Sequence, residues 1–586
     1  MYMGNYRNFK LTTYFVAQAT ANISKEELQK QIDWFGKYMK LDKVYLEPFR
    51  DRSFASEEQV RMCKKVFEDN GIEVAGGITT CIPTPEGDEP KQRLFNTFCY
   101  NDEKMLNTLK KASALNGRVF DSFIIDDFYF TNCTCDKCRA GRDKYNQEHG
   151  ITDGSWQGYR TALMYEISEK YMIAPAKAEN PNVKITIKYP NWMESYQETG
   201  YDPLSQRNIF DSIYTGTETR DPRHQDQHLP RYLSYSLMTY MENMAPGRNG
   251  GGWFDTFDCQ VIDYYLEQAY LTAFSKPKEL MMFCFQSLYD SVYAASLGFQ
   301  LDKLDELLDG LGKPVGVPCY IPNASQGEDN VQDHLGMNGF PIYTTPFFPE
   351  DAPVLLLTAS SAYDEDIVDK LEQYLIKGGK AMVTTGFVGK CLDKGLKRIT
   401  SIRPVNRHVS LSEYMLEGRW HWTNVRGAKE VTVPVVEFRN NATWAALCKG
   451  LKNEESYTLL CEDTYGKGKM MTVVIPESFT DIRELPAEVL TRIRKEFAVD
   501  GIYIEGPANI SIFPYDNDTF VLYDYVTSWA DDADILVHIK GAKKLAPMVS
   551  RKYGPKEILP LHTEGEDSVF KLPVRVGRFD GYRIER

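Results

Sequence analysis

The sequence predicts an α/β protein: a TIM-type (β/α)8 barrel, then an α/β flavodoxin-like domain, then a C-terminal β-sandwich. Three observations carry this expectation. Over residues 1–300, eight short β-rich runs alternate with helix-like stretches, which is the arithmetic of a closed parallel barrel. Near Leu301 the pattern changes to a β–helix–Gly-Gly–β unit. From about Val499 only short β runs separated by turn residues remain.

The eight strands are read at KLTTYFVA (from Lys10), KVYLEPFR (Lys43), EVAGGITT (Glu73), DSFIIDDF (Asp121), KITIKYPN (Lys184), DSIYTGTE (Asp211), GGGWFDTF (Gly250) and ELMMFCFQ (Glu279). Segments such as SKEELQKQIDWFGKYMK and EEQVRMCKKVFEDNG supply the intervening helices. The Gly-rich seventh strand has the weakest pattern, and an open doubly wound sheet is the competing architecture. The predicted domains span 1–300 (barrel), 301–498 (α/β) and 499–586 (sandwich). In the middle domain Gly378 and Gly379 end a helix before the next strand. No phosphate-binding Gly-rich fingerprint is present there, so this domain reads as a packing or assembly module.

Bulk properties narrow the function. Hydrophobic residues at 42% and aromatics at 13% suit packed cores. A formal charge of −14 argues against nucleic acid or an anionic membrane as partner, and suits a neutral carbohydrate. No apolar run of roughly 18 residues is found, so no membrane span is expected. The opening residues lack a leader pattern. The expectation is a cytoplasmic protein, or a periplasmic or secreted one from which a leader has been removed.

Strand C-termini of such a barrel converge on one mouth, where chemistry is done. The residues placed there are Glu47 and Arg50 on strand two, and Asp126 and Asp127 on strand four. Strand five supplies Lys188 and Trp192, strand six Glu218 and Arg220, strand seven Trp253 and Asp255, and strand eight Gln286. Acids among cations and tryptophans fit a sugar site, because aromatic faces stack on C–H faces while charged groups fix hydroxyls. Glycoside cleavage needs one protonated carboxyl and one ionised carboxylate. The candidate catalytic acids are Asp127, Asp255 and Glu218; Glu47, Arg50, Lys188, Trp192, Arg220, Trp253 and Gln286 are the candidate substrate-binding residues. Plainer roles stand beside these. Glu47 and Arg50 pair with each other, Asp126 alternates away from Asp127 into a structural position, and the tryptophans pack at the rim.

Twelve cysteines are mostly scattered, but Cys133, Cys135 and Cys138 sit together after the fourth strand, with Cys99 upstream. Such spacing suits a structural zinc site; reduced thiols or a disulfide are the alternative.

The segment IDDFYFTNCTCDKCRAGRDKY resembles the fourth-strand region of family 42 glycoside hydrolases, the β-galactosidase type. By that resemblance Asp127 falls on the acid/base position, and Cys99, Cys133, Cys135 and Cys138 fall on zinc ligands. The segment APVLLLTASSAYDEDIVDKLEQYLIKGGKAMVTTGF is similar to that family's trimerisation domain, which implies a homotrimer; the alternative is a monomer. The chain departs from the family in having Asp-Asp for Asn-Glu and no Met-Glu nucleophile motif on strand seven. An Asp on strand four with an acid on strand six is instead similar to the α-galactosidase clan, where the strand-four Asp is the nucleophile.

The leading expectation is a retaining, exo-acting glycosidase with Asp127 as acid/base. Asp255 is its nucleophile, with Glu218 taking that role if Asp255 proves structural. No organic cofactor is expected. The alternatives are a non-catalytic carbohydrate-binding protein on a decayed glycosidase fold, and, last, a metal-dependent isomerase or lyase using His224.

Overall fold

The computed structural model describes residues 6–81, 96–418, 421–438, 444–527, 532–549 and 554–586. Two compact units divide the chain: residues 1–226 with 244–305, and residues 227–243 with 306–586.

The first unit is the barrel. Its strands are β1 (Lys10–Phe15), β2 (Lys43–Arg50), β3 (Glu73–Thr79), β4 (Ser122–Ile125), β5 (Lys184–Tyr189), β6 (Ser212–Gly216), β7 (Asn249–Asp255) and β8 (Glu279–Phe283). All neighbours are parallel, and β1 pairs with both β2 and β8, which closes the ring. The eight strands start within one or two residues of the sequence expectation, Gly-rich β7 included. That strand is Gly-rich because its neighbours press on it. A Cβ at Gly251 would lie 2.8 Å from the Tyr214 hydroxyl and closer still to the Glu279 carbonyl.

Side chains alternate along a strand, so residues two apart point the same way. Tyr14, Tyr45, Ala75, Ile124, Tyr214, Trp253 and Met281 form one buried layer inside the ring. Two residues further along their strands come Glu47, Asp126, Asp255 and Phe283. The polar layer of the mouth is therefore built directly on an aromatic floor by strand periodicity.

In the second unit, five parallel strands take the flavodoxin-like order 2-1-3-4-5: Ile342–Thr345, Val317–Tyr320, Val354–Leu357, Lys380–Thr384 and Gly468–Val473. The same sheet continues as an antiparallel extension through Glu455–Tyr465, Trp444–Lys452, Ile402–Glu417 and Trp422–Phe438. This extension is absent from the sequence reading. Its two longest strands are mostly half-buried or exposed and carry bulges, so the in–out alternation by which a strand is recognised is blurred. Two four-stranded antiparallel sheets follow and share one apolar core that includes Ile504, Ile512, Val537 and Phe570. Arg494 is fully buried and donates to three backbone carbonyls, those of Asn338 (2.7 Å), Gly506 (2.8 Å) and Pro507 (2.8 Å). No helix among the described residues is long and apolar enough to cross a membrane.

Asp333, fully buried in this unit, accepts from Ser236 and, at 2.8 Å, from Gln332. Burial raises its pKa from the ordinary value of 3.8 to about 7 against those two hydrogen bonds. The folded state therefore holds a proton that the unfolded chain releases, and stability falls as pH rises from about 4 to about 7. A raised carboxyl pKa of this size costs up to about 4 kcal/mol above neutrality. Asp333→Asn should leave the melting temperature little changed at pH 4 and raise it at pH 8, as followed by calorimetry.

Candidate functional site

The carboxyl ends of β2 to β7 bring five acids and three cations together. Glu47 is completely buried and fully engaged. It accepts from the Tyr14 hydroxyl (2.7 Å), Thr79 Oγ1 (2.5 Å), the Ala17 N–H (3.0 Å) and Arg50 Nε (2.8 Å). Arg50 reaches on with Nη2 to Asp126 Oδ2 at 2.7 Å. Asp126 Oδ2 also lies 2.9 Å from Thr79 Oγ1, whose one proton it shares with Glu47, and Oδ1 accepts from the Asp127 N–H (2.7 Å). Burial opposes its ionisation, but Arg50 and Lys188 outweigh burial and hold its pKa below the usual carboxylate value. Glu47 and Arg50 thus pair, and Asp126 is the fixed anion under the site.

Lys188 on β5 is the hub. Its Nζ donates to Asp127 Oδ2 at 2.5 Å and Glu218 Oε1 at 2.7 Å, lies 3.9 Å from Asp126 Oδ1, and sits 4.2 Å from the Trp253 ring centroid. Two of the three ammonium donors are thus spent on Asp127 and Glu218. With the two shortest contacts laid end to end, Asp127 Oδ2 and Glu218 Oε1 are within 5.2 Å of each other.

The two acids differ. Asp127 is partly open to solvent, its side chain 17% exposed, whereas Glu218 is 5% exposed. Burial pushes the Asp127 pKa well above the ordinary value; Lys188 pulls it back, and the charges of Asp126 and Glu218 push it further up. Glu218 Oε2 is buried with no hydrogen-bond partner among the described residues. Its space depends on Gly216, where a Cβ would stand 2.6 Å from that oxygen. Asn191 Nδ2 fixes the Glu218 backbone carbonyl at 2.7 Å.

Asp255 is held differently. Arg220 grips it with Nε to Oδ1 at 2.9 Å and Nη2 to Oδ2 at 2.7 Å, and the Phe257 N–H adds a third bond to Oδ1 at 3.1 Å. Burial raises its pKa against the opposing pull of Arg220. The structure therefore joins Asp127 to Glu218 through one lysine and gives Asp255 its own arginine.

Of the remaining candidates, Trp253 is buried, with its ring stacked on Phe283 at 4.9 Å and covered by Lys188, which leaves no face for a sugar. Trp192 is half-buried against the edges of Phe130 and Tyr201. Gln286 accepts from the Val16 N–H at 3.4 Å, and its buried Nε2 has no partner among the described residues. Sequence reasoning did not pick out Tyr14, Thr79 or Phe257. Tyr14 and Thr79 lie on β1 and β3, whose tips show no ionisable group to draw the eye. Phe257 lies just past a strand end, where an aromatic is ordinarily core.

Beyond β4, the Sγ atoms of Cys99, Cys133, Cys135 and Cys138 all lie within 4.8 Å of one another. Cys99 Sγ is 3.7 Å from both Cys135 Sγ and Cys138 Sγ. Four thiolates about 2.3 Å from a tetrahedral ion stand about 3.8 Å apart, so this group could hold a metal. All twelve cysteines are free thiols, which leaves no disulfide in the cluster. Among the described residues this is the one set of three or more candidate ligands; His224, 3.9 Å from Asp221, belongs to none.

The family model described as "probable glycosyl hydrolase, catalytic domain" matches residues 1–304, and the model for the second domain of uncharacterized protein SSO3021 matches residues 312–478. Uncharacterized protein SSO3021 of Saccharolobus solfataricus is 27% identical over 551 residues, covering 87% of this chain and 88% of that protein. Among solved structures, the beta-galactosidase of Rahnella sp. R3 is similar at a TM-score of 0.62 and 12% identity, over 97% of this chain and 98% of that one. A GH42 beta-galactosidase of G. stearothermophilus, Gan42B, gives 0.62 and 11%, over 99% of both chains. At such identities these structures establish a shared architecture.

The cysteine geometry yields a direct test. Cobalt(II) added to metal-stripped protein should develop thiolate charge-transfer absorption that saturates at one ion per chain. Cys133→Ala with Cys138→Ala should abolish it; an unchanged spectrum in the double variant would remove the site.

Proposed function

Because the chain belongs to the family of probable glycosyl hydrolase catalytic domains, we propose that it is a retaining, exo-acting glycosidase whose working pair is Asp127 and Glu218. The observation that carries this is the lysine bridge. It holds one oxygen of each carboxyl group no more than 5.2 Å from the other, a closeness that suits the roughly 5–5.5 Å carboxyl separation of retaining enzymes better than the roughly 6.5–9.5 Å of inverting ones.

Asp127, more exposed and with a raised pKa, is the general acid that protonates the leaving oxygen. Glu218, charge-paired with Lys188 and with Oε2 unengaged, attacks the anomeric carbon to form a glycosyl ester. Asp127, now ionised, takes a proton from water, which breaks that ester and restores both groups. Asp255 ranks behind Glu218 as nucleophile, because a bidentate guanidinium and a backbone N–H already occupy its oxygens.

The four thiolates of the cysteine cluster suit zinc, and a site so filled has no open position for hydrolysis. Its contribution would be to brace the segment that leaves β4 immediately after Asp127. The homotrimer implied by the resemblance belongs to the same proposal.

The ion pairing also favours a second reading, a carbohydrate-binding protein on a decayed enzyme fold, because Asp127, Glu218 and Asp255 each meet a cation. Turnover separates the two. On a panel of chromogenic glycosides, Asp127→Ala and Glu218→Ala should each lose on the order of 10²–10⁴-fold in kcat while still folding, as judged by circular dichroism. Sugar binding with no turnover in the parent protein favours the second reading. The acid form of Asp127 exists only below its raised pKa, so kcat/KM should fall as pH rises through that value. Lys188→Met removes the group that lowers it, and the alkaline limb should move to higher pH.

A further inference from the structure

We infer that Phe257 and Arg220, locked in place by Asp255, form a sugar-binding subsite beside the Asp127–Glu218 pair. Phe257 is its stacking face and Arg220 its hydroxyl donor. The inference rests on the carbohydrate reading of the site, and it gives Asp255 a positioning role.

Phe257 lies two residues beyond the end of β7, yet 52% of it is exposed, more than Phe54 at the β2 tip (42%), whereas Trp253 in β7 itself is buried. It is not a loose loop residue. Its N–H donates to Asp255 Oδ1 at 3.1 Å, and its ring centroid is 6.0 Å from that of Phe283. The Arg220 guanidinium carbon lies 5.8 Å from the Phe257 ring centroid. Arg220 holds a left-handed backbone conformation, φ 53°, and its side chain remains 24% exposed. Of the five N–H donors of a guanidinium, two are used on Asp255, and among the described residues no other partner is recorded. One carboxylate thus aims the remaining guanidinium donors and, through its hydrogen bond to the main chain, a half-exposed aromatic ring with Arg220 at one face.

That combination suits one ligand chemistry. A pyranose presents a C–H face to an aromatic ring and adjacent hydroxyls to a planar fork. The mouth holds Glu47, Asp126, Asp127, Glu218 and Asp255 against Arg50, Lys188 and Arg220, and each cation already meets a carboxylate. Among these described residues no cation is left without a carboxylate to meet a uronate or a sulfated sugar, so the subsite suits a neutral pyranose.

The test uses the full chain, with 4-nitrophenyl glycosides of neutral hexoses and pentoses for kinetics, and the free sugars for calorimetric titration. Phe257→Ala should raise KM and weaken free-sugar binding 10- to 100-fold, with a smaller fall in kcat. Phe257→Trp should return both to within about threefold. Thermal melting confirms that each variant is folded. Turnover and binding unchanged in Phe257→Ala would overturn the subsite and leave the glycosidase proposal standing. Sugar binding that depends on Phe257 in a protein without turnover would support the subsite and sink the glycosidase proposal. Binding of no neutral sugar, or preference for uronates, would overturn the subsite.

Discussion

The site depends on one buried ammonium group. Lys188 touches Asp127 and Glu218, stands near Asp126 and rests on the face of Trp253. Without it, three carboxyls would crowd a poorly hydrated space, and mutual repulsion would protonate or expel some of them. With it, they stay close, and their differences become useful. Asp126 is held ionised by Arg50 and Lys188, whereas Asp127 is pushed toward its protonated form by burial and by its neighbours' charges. Unequal environments for adjacent acids are what acid/base chemistry at a glycosidic bond requires.

The barrel makes this possible by simple periodicity. Tyr45, Ile124 and Trp253 pack inside the ring, and two residues onward the same strand faces place Glu47, Asp126 and Asp255. Asp127 and Glu218 lie just past strand ends, where the backbone is free to turn them toward Lys188. The apolar layer supplies rigidity and low dielectric, and the polar layer above it inherits both.

Much of this was legible from the residues. The eight strands could be read because each is a short β-rich run bounded by turn or helix signals, and the strand tips then nominated the acids and cations. The pairing among them could not be read. Nothing in the spacing of Asp127, Lys188, Glu218, Arg220 and Asp255 says that the lysine reaches back to one acid and forward to another while the arginine crosses to β7. Trp253 is the clearest case. Tryptophan at a strand end suits a sugar platform, yet here its ring is floor for Lys188 and Phe283, and Phe257, two residues past the same strand, is the more exposed aromatic. The antiparallel extension of residues 402–465 escaped notice because its bulged, mostly half-buried or exposed long strands lack the alternation by which strands are recognised. The cysteines were legible as a cluster, and the 3.7 Å sulfur spacings came only with the fold.

The measurement that bears most directly on the lysine-bridged pair is covalent trapping. A 2-deoxy-2-fluoroglycoside of the sugar that the protein cleaves should accumulate as a glycosyl ester, and peptide mapping by mass spectrometry should place the label on Glu218. A label on Asp255 or Asp127, or steady turnover that never passes through an ester, would contradict the account.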